Sequence, residues 1–146
     1  MADTLTRRER SRRMSLVRGS GNKATELILA LALRRHGLKG WRRKTTVFGK
    51  PDFAWMRQRI ALFVDGCFWH GCPTHSRIPK SRKEFWIPKL ERNRSRDRQV
   101  TARLQRAGWS VLRIWECDLR KPTFLRKLQL LEELLQEQRS SGKSKR

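Results

Sequence analysis

Short runs of apolar residues occur along this chain and predict the strands of a sheet. Ile60–Asp65 carries apolar side chains at positions 60, 62 and 64, and a turn-forming Asp-Gly pair ends the run. Residues 109–115 have a similar apolar character and predict a further strand, central in the sheet. Because both runs are short and bounded by turn residues, they favour strands over helices.

Two more segments predict strands that pair with the run at 60–65. Residues 41–48 show the alternation of a half-buried strand, and Gly49 and Pro51 then break it. Asp52 opens a second short strand after this break. The strands are expected to form a meander, with Asp52 at the start of one strand and Asp65 at the end of its neighbour.

Three longer segments have the spacing of amphipathic helices: residues 20–36, 81–107 and 123–138. Ser20 or Asn22 can cap the first, and Gly37 and Gly108 follow the first two, where helices commonly end. Pro88 is expected in the first turn of the second helix, where its missing N–H does no harm. The residues expected to face the core are Ala24, Leu27, Ile28, Leu31 and Ala32 in the first helix, Phe85, Leu90, Val100 and Leu104 in the second, and Phe124, Leu128, Leu131 and Leu135 in the third.

Composition and charge indicate one domain that binds a polyanion. The 146 residues suffice for one core, and 36 Lys and Arg against 13 acids give a formal charge of +23. Such a charge costs self-repulsion unless a polyanionic partner offsets it. The basic residues run throughout the chain, which favours a nucleic-acid groove over a membrane patch.

The sequence also predicts where the protein resides. No apolar run approaches the length of a membrane span, and the N-terminus lacks the apolar stretch of a signal peptide. An odd number of cysteines, 3, favours a reducing compartment over disulfides. We therefore expect a cytoplasmic, nucleoid-associated protein without membrane contact.

The two ends of the chain differ from its middle. Residues 1–19 are basic and polar, and they predict either a solvated arm or an arm that clasps DNA, with arginines on phosphates and Met14 near the bases. Residues 20–138 are expected to form the folded domain, and residues 139–146 a disordered basic tail.

A cluster of cysteines and histidines follows the apolar run at 60–65. Cys67, Cys72 and His75 have the spacing of a metal-binding knuckle, which needs a fourth ligand from elsewhere. Cys117 follows the apolar run at 109–115. If the two strands are neighbours, Cys117 meets the knuckle and closes a tetrahedral Zn²⁺ site. His70 fits the ligand spacing less well, which leaves it for other chemistry.

Two acids suggest a second kind of metal site. A Pro-Asp pair, an apolar strand and an acid at its end, here Asp52 and Asp65, is the layout of metal-dependent nucleases, although Pro-Asp alone is a weak signal. Carboxylates are the ligands that Mg²⁺ prefers, and Mg²⁺ promotes phosphodiester hydrolysis. Other polar residues read as solvated when taken alone: Glu26 on the first helix, and the Asn93–Asp97 pair, which shares a face of the second.

Five motifs, in this order and spacing, resemble the very-short-patch-repair (Vsr-type) DNA mismatch endonucleases. They are GKPDF, FVDGCFWHGC, EFW, ERNRSRDR and GWSVLRIWECDL, and they lie within roughly residues 7–120. The resemblance implies an α/β, restriction-endonuclease-like three-layer domain, with a central mixed sheet flanked by helices and a structural zinc site. It also implies Mg²⁺-dependent nicking of one DNA strand, 5′ of the T in a T:G mismatch left by deamination of 5-methylcytosine. Such nicking begins very short patch repair.

The resemblance also implies roles for individual residues. Asp52 matches the principal Mg²⁺ ligand, helped by the backbone carbonyl of Val64. His70 matches the catalytic histidine, and Asp97 matches the acid that orients it. Glu26 matches an acid on the first helix near the metal site. The residues that match the family's DNA-intercalating side chains are Met14, Phe68, Trp69 and Trp86. Cys67 and Cys117 match zinc ligands of the family.

This chain departs from the family pattern at two places. Asp65 stands where the best-known form of the motif has a histidine, which makes Asp65 a candidate further metal ligand among the catalytic residues and leaves the precise metal geometry open. Cys72 and His75 are zinc ligands by spacing rather than by match. The lysine usual in restriction folds has no clear counterpart, which makes His70 the better candidate for general base.

The function expected is therefore a nicking endonuclease of DNA mismatch repair that works as a monomer on double-stranded DNA containing a T:G mismatch, with Mg²⁺ and Zn²⁺ as cofactors and accessory repair proteins as further partners. Two alternatives stay open. One is a zinc-containing module that binds distorted DNA without cutting it. The other is a restriction nuclease or nicking toxin of the same fold, although an enzyme that reads intact duplex has less use for three intercalating aromatics.

Overall fold

A computed structural model describes residues 23–67, 72 and 78–143, together with residues 6, 8 and 9. The elements, in chain order, are helix α1 (Lys23–Arg35), strand β1 (Phe53–Trp55), strand β2 (Ile60–Asp65), helix α2 (Lys83–Arg106), strand β3 (Ser110–Trp115), a 3-10 helix (Glu116–Arg120) and helix α3 (Thr123–Lys143). In this part of the chain, no helix combines the length and apolarity needed to cross a membrane.

The three strands form a mixed sheet in the order β1-β2-β3. β1 pairs with β2 in the antiparallel sense, with Phe53 opposite Leu62. β3 pairs with β2 in the parallel sense, and the register runs from Ser110 opposite Ile60 to Trp115 opposite Asp65. Helix α2 lies between β2 and β3 in sequence and supplies the crossover that parallel pairing requires. The expected adjacency of these two strands is thereby confirmed, but β2, not β3, is the central strand.

Helices cover both faces of the sheet, which confirms the three-layer α/β architecture. On one face, α1 and α3 pack on the sheet through a cluster that includes Leu29, Leu33 and Leu131. On the other face, Leu104 of α2 packs with Phe63 and other strand residues. Alternate side chains of β2 therefore enter different clusters, and all six residues of this strand are buried.

The buried face of α1 differs from the one that periodicity predicts. Leu29 and Leu33 are fully buried, whereas Leu27, Ile28 and Leu31 are 55%, 45% and 52% exposed. The segment 27–33 (LILALAL) is apolar on every side, so its spacing does not select one face. Packing against the sheet sets the rotation of the helix instead.

The prediction of a strand at residues 41–48 is wrong, because this segment forms no strand in the described structure. One isolated bridge joins Arg42 to Ala54, and it is continued by no ladder in this segment. Lys44 has φ of 52°, in the left-handed region, and this ends the extended conformation.

Helix α2 corrects two further predictions, and helix α3 extends past its predicted end. Phe85 was expected to face inward but is 43% exposed. Pro88 lies inside α2, beyond the first turn of the helix that begins at Lys83, so it removes one hydrogen bond of the helix. Helix α3 buries its four predicted apolar residues, and it continues to Lys143, into the segment expected to be disordered.

A glycine fixes the loop that leads to β1. Gly49 has φ of +77°, and a Cβ added to it would lie 2.3 Å from Cγ1 of Val100 on α2. The amide N–H of Lys50 donates to the carbonyl of Val47 across this turn at 3.0 Å. Close approach of the loop to α2 thus places Pro51 and Asp52 ahead of β1, and only glycine fits there.

Gly49→Ala is expected to destabilise the protein by more than the backbone strain of a positive φ would account for. Gly37→Ala is the matched control, because Gly37 has φ of +71° with nothing within 4 Å of its added Cβ. We expect Gly49→Ala to lower the free energy of unfolding by about 1–3 kcal/mol more than the control does, because of the clash with Val100. Urea unfolding of both variants measures this, and equal losses would contradict the close packing.

Candidate active site and thiol cluster

The acids predicted to bind a metal meet at one end of the sheet. β1 runs antiparallel to β2, so the start of β1 and the end of β2 lie at the same edge. A cavity of about 590 Å³ opens there, between the sheet and α2. The residues that line it include Thr45, Asp52, Val64, Asp65, Asp97 and Arg113.

Asp52 is held by the neighbouring strand. Its Oδ2 accepts a hydrogen bond from the backbone N–H of Val64 at 2.7 Å. This contact places the carboxylate beside the peptide groups at the end of β2, with Val64 itself in the cavity wall. Asp52 and Val64 were paired as candidate Mg²⁺ ligands, and the structure brings them together.

Arg113 connects the other two acids of the cavity. Its Nη1 donates to both carboxylate oxygens of Asp65, at 2.9 and 3.0 Å. Its Nη2 donates to the backbone carbonyl of Asp97 at 3.3 Å, and Nη1 lies 3.9 Å from the Asp97 carboxylate. Its Nε donates to Thr101 Oγ1 at 3.0 Å, and the guanidinium lies 4.3 Å from the ring centroid of Phe63.

The chemistry of the cavity fits a divalent cation. A carboxylate and a backbone carbonyl, from Asp52 and Val64, are the hard oxygen donors that Mg²⁺ selects. The hydroxyl of Thr45 is buried in this wall, and within the described part of the chain it has no hydrogen-bond partner. A buried polar atom of this kind normally has a partner, and a hydrated cation or a phosphate supplies one.

The three cysteines form a second cluster at the same end of β2. Sγ atoms of Cys67, Cys72 and Cys117 all lie within 4.8 Å of one another. Cys72 is buried, and its N–H donates to the carbonyl of Cys67 at 2.9 Å. Burial, together with the neighbouring Cys117, raises the pKa of the Cys67 thiol to about 12. Three such groups ionise together only when a cation compensates their charge.

Distances within the cluster fit a thiolate-binding metal. Sγ of Cys72 lies 3.7 Å from Sγ of Cys117. Sulfur ligands about 2.3 Å from Zn²⁺ lie roughly 3.8 Å apart at tetrahedral angles. Cys117 thus joins Cys67 and Cys72, as strand adjacency predicted, and within the described part of the chain these three thiols form a group that could hold a metal ion.

Apart from Trp86, the remaining candidate residues are Glu26, which the structure describes, and five residues that lie outside its described part. Glu26 on α1 is paired with Arg43, whose guanidinium lies 5.6 Å from the ring centroid of Phe53, and Glu26 is not among the residues that line the cavity. The candidates that lie outside the described residues are Met14, Phe68, Trp69, His70 and His75.

Trp86 lies in an aromatic and basic surface at the start of α2. Its ring meets that of Phe85 edge to face, with centroids 5.0 Å apart. Nζ of Lys89 lies 5.4 and 5.5 Å from the Phe85 and Trp86 rings, and Arg82 lies 4.8 Å from Phe85. Cations beside partly exposed rings form a surface suited to stacked bases and phosphates.

Sequence reasoning missed two residues that organise this region. Arg113 is a charged residue within an apolar strand, on the same face as Val111, which packs against the core. A charge at such a position is the sequence signal that could have identified this residue. Asp118 is buried and accepts from the N–H of Trp115 at 3.0 Å and from Nζ of Lys127 at 2.5 Å. Burial opposes ionisation of Asp118, but Lys127 and the Trp115 N–H outweigh it and lower the pKa of this carboxyl.

The fold and the site together define a class of protein. A mixed sheet between helices, with acids at one sheet edge and a thiol cluster beside them, is the arrangement of a restriction-endonuclease-like α/β domain.

Comparison with known proteins identifies the family. The protein-family model described as "DNA mismatch endonuclease Vsr" matches residues 2–76 of this chain. The type II nicking enzyme V.NmeDIP of Neisseria meningitidis serogroup C is 44% identical over 123 residues, which cover 83% of this chain and 82% of that enzyme. The DNA mismatch endonuclease Vsr of Escherichia coli (strain K12) is 38% identical over 121 residues, covering 82% and 77%. The chain belongs to the Vsr family of DNA mismatch endonucleases.

Another relative widens the comparison. The type II nicking enzyme V.NaeI of Lentzea aerocolonigenes is 44% identical over 112 residues, which cover 73% of this chain and 67% of that enzyme.

We expect purified protein to contain one zinc ion per chain, bound by the thiol cluster. Cys117→Ser removes a ligand that comes from a different strand than Cys67, so it should abolish zinc binding. It should also lower the free energy of unfolding by more than about 4 kcal/mol, as the loss of a structural metal does. Elemental analysis and thermal unfolding measure both effects.

The control for this prediction is Lys121→Gln. Nζ of Lys121 lies 3.9 Å from Sγ of Cys117, but the side chain is exposed and is not a metal ligand. This variant should keep its zinc. Wild-type protein without zinc would show that the cluster serves another purpose.

Proposed function

We propose that this protein is a Mg²⁺-dependent endonuclease that nicks one DNA strand on the 5′ side of the T in a T:G mismatch and so begins very short patch repair. The observation that carries the proposal is the cavity in which Asp52, Val64 and Asp97 meet, in a chain of the Vsr family. Relatives are named as nicking enzymes and as a mismatch endonuclease, and these names support cleavage of one strand.

Asp52 and Val64 would hold the catalytic Mg²⁺ through a carboxylate and a backbone carbonyl. When bound, the cation supplies polarisation of the scissile phosphate and a lower pKa for attacking water. The hydrogen bond from the Val64 N–H orients Asp52 for this role. Asp97 is proposed to orient His70, which acts as general base, and Glu26 remains proposed as an acid near this site.

Charge supplies affinity for DNA of any sequence. A formal charge of +23 favours phosphate contacts throughout the chain, and the described surface around Trp86 already places Lys89 and Arg82 beside aromatic rings. Binding by such contacts releases counterions and weakens as salt rises. Affinity of this kind does not distinguish a mismatch, so selectivity needs another source.

Aromatic side chains are proposed to supply that selectivity. Phe68, Trp69 and Trp86, with Met14 from the N-terminal arm, are proposed to enter the duplex beside the mismatch. Unstacking a base step costs a few kcal/mol, and less where pairing is already faulty. Stacking on an aromatic ring returns about 1–3 kcal/mol per base whichever pair is present. The balance therefore favours a T:G pair over a matched one.

Further parts of the proposal concern the thiol cluster and the setting. Zn²⁺ bound by Cys67, Cys72, His75 and Cys117 is proposed to be structural, because four protein ligands leave no position open for chemistry. The protein is proposed to act as a monomer in the cytoplasm, on the nucleoid, together with accessory repair proteins.

Asp52→Asn should abolish Mg²⁺-dependent nicking while DNA binding persists. The carboxylate is the proposed metal ligand, so we expect the rate to fall at least about 10³-fold, which corresponds to the several kcal/mol that a metal supplies. DNA affinity should change less than about threefold, because the basic residues provide the phosphate contacts. Single-turnover nicking of end-labelled T:G duplexes, beside binding titrations, measures both.

Glu133→Gln is the matched control for Asp52→Asn, since Glu133 is an exposed acid on α3, away from the cavity. Mg²⁺ should be omitted rather than chelated, because a chelator would also remove metal from the thiols. Nicking by Asp52→Asn at the wild-type rate would show that the metal site is misassigned.

Trp86→Ala should reduce the preference for T:G over C:G duplexes. We expect the ratio of nicking rates to fall about tenfold, since one stacking contact is worth about 1–3 kcal/mol. Trp69→Ala should act in the same direction. Salt-dependent binding to matched DNA should remain within about twofold of wild type, because its source is the phosphate contacts.

The control is Leu125→Ala, which removes an exposed apolar side chain from α3, 54% exposed and remote in sequence from α2. Both duplexes are compared at one fixed salt concentration. Full discrimination by both tryptophan variants would mean that the aromatic residues do not read the mismatch.

A further inference from the structure

Arg113 is fully engaged by the protein itself. Each of its three guanidinium nitrogens donates within the domain: Nε to Thr101, Nη1 to Asp65 and Nη2 to the carbonyl of Asp97. One face of the guanidinium also rests on the Phe63 ring. A side chain held in this way is fixed in orientation, so its charge serves the cavity rather than a DNA phosphate.

Asp65 depends on this arginine. The residue is only 5% exposed, and a carboxylate that is buried to this extent needs a compensating charge. Both of its oxygens lie within 3.0 Å of Nη1 of Arg113. The carboxylate of Asp65 is therefore held against Arg113 in the wall of the cavity.

Asp52 is held differently, although it lines the same cavity. Its Oδ2 accepts a hydrogen bond from the backbone N–H of Val64 at 2.7 Å. Asp65 is thus the aspartate at this sheet edge that Arg113 holds through both carboxylate oxygens.

We propose that Arg113 is a positioning residue of the cation site: it holds Asp65 in an ion pair through both carboxylate oxygens, so that Asp65 acts on a bound divalent cation through its charge and is not a ligand. The same guanidinium joins β3 to Asp97 on α2 and fixes the distance between that acid and the sheet. This inference rests on the proposed function, because it assumes that the cavity binds a divalent cation.

The charge of the pair and the ligand role of Asp65 can be separated by three variants: Arg113→Gln, Asp65→Asn and the double variant. Arg113→Gln leaves a carboxylate without its cation near the metal, and Asp65→Asn leaves the guanidinium without its anion. A unit charge at this range changes cation affinity about tenfold or more. The double variant removes both charges and keeps the net charge of the cavity.

Mn²⁺ serves as the probe, with free Mn²⁺ measured by electron paramagnetic resonance in titrations of full-length, zinc-loaded protein. We expect affinity to rise about tenfold in Arg113→Gln and to fall about tenfold in Asp65→Asn. In the double variant it should lie within about threefold of wild type, because a group that is not a ligand acts only through charge. A double variant as weak as Asp65→Asn would show that Asp65 is a ligand and would overturn the proposal.

Arg113→Lys keeps the charge without the three-nitrogen geometry, and it should restore Mn²⁺ affinity to within about threefold of wild type. Thermal unfolding of each variant confirms that it is folded, and Arg113→Lys with the double variant decides the question even if Arg113→Gln does not fold. Asp52→Asn tests the underlying function separately. It should lose Mn²⁺ binding, and retention would overturn the metal site itself together with this inference.

Discussion

Parallel pairing of β2 with β3 is the constraint on which the rest of this structure depends. The register places Asp65 opposite Trp115, so the residues two positions further along, Cys67 and Cys117, leave the sheet side by side. The same register aligns Phe63 with Arg113 and brings the guanidinium to Asp65. A slip by one residue would move every side chain of β3 to the opposite face, and both the thiol cluster and the ion pair would be lost.

Much of this arrangement was predictable from the sequence, and the reasons are physical. Short apolar runs with turn residues at their ends define β2 and β3, and their adjacency then predicts that Cys117 meets Cys67 and Cys72. Periodicity failed on α1, because residues 27–33 are apolar in every direction and only packing selects a face. The ion pair of Arg113 was not predicted, since strand spacing indicates which face a residue occupies but not which charge it meets.

Two electrostatic regimes coexist in this small domain. The excess of basic residues acts at the surface, where solvent and salt screen it, and it provides attraction to DNA without selectivity. The acids of the cavity lie in a drier environment, where each charge needs a specific partner. Asp65 in the cavity is paired with Arg113, and Asp118, outside the cavity, is paired with Lys127. Surface charge thus acts at long range and without selectivity, whereas the buried acids are held by specific local partners.

The acid cavity and the thiol cluster share one strand end in this protein. β2 contributes Val64 to the wall of the cavity, Asp65 to the ion pair and, two residues later, Cys67 to the thiol cluster. A metal on the thiols would tie the end of β2 to the residues after β3, and this would restrain the peptide whose N–H orients Asp52. Metal binding by the thiol cluster would therefore also restrain the acid cavity, and restraint of that kind is what a site for an ordered cation requires.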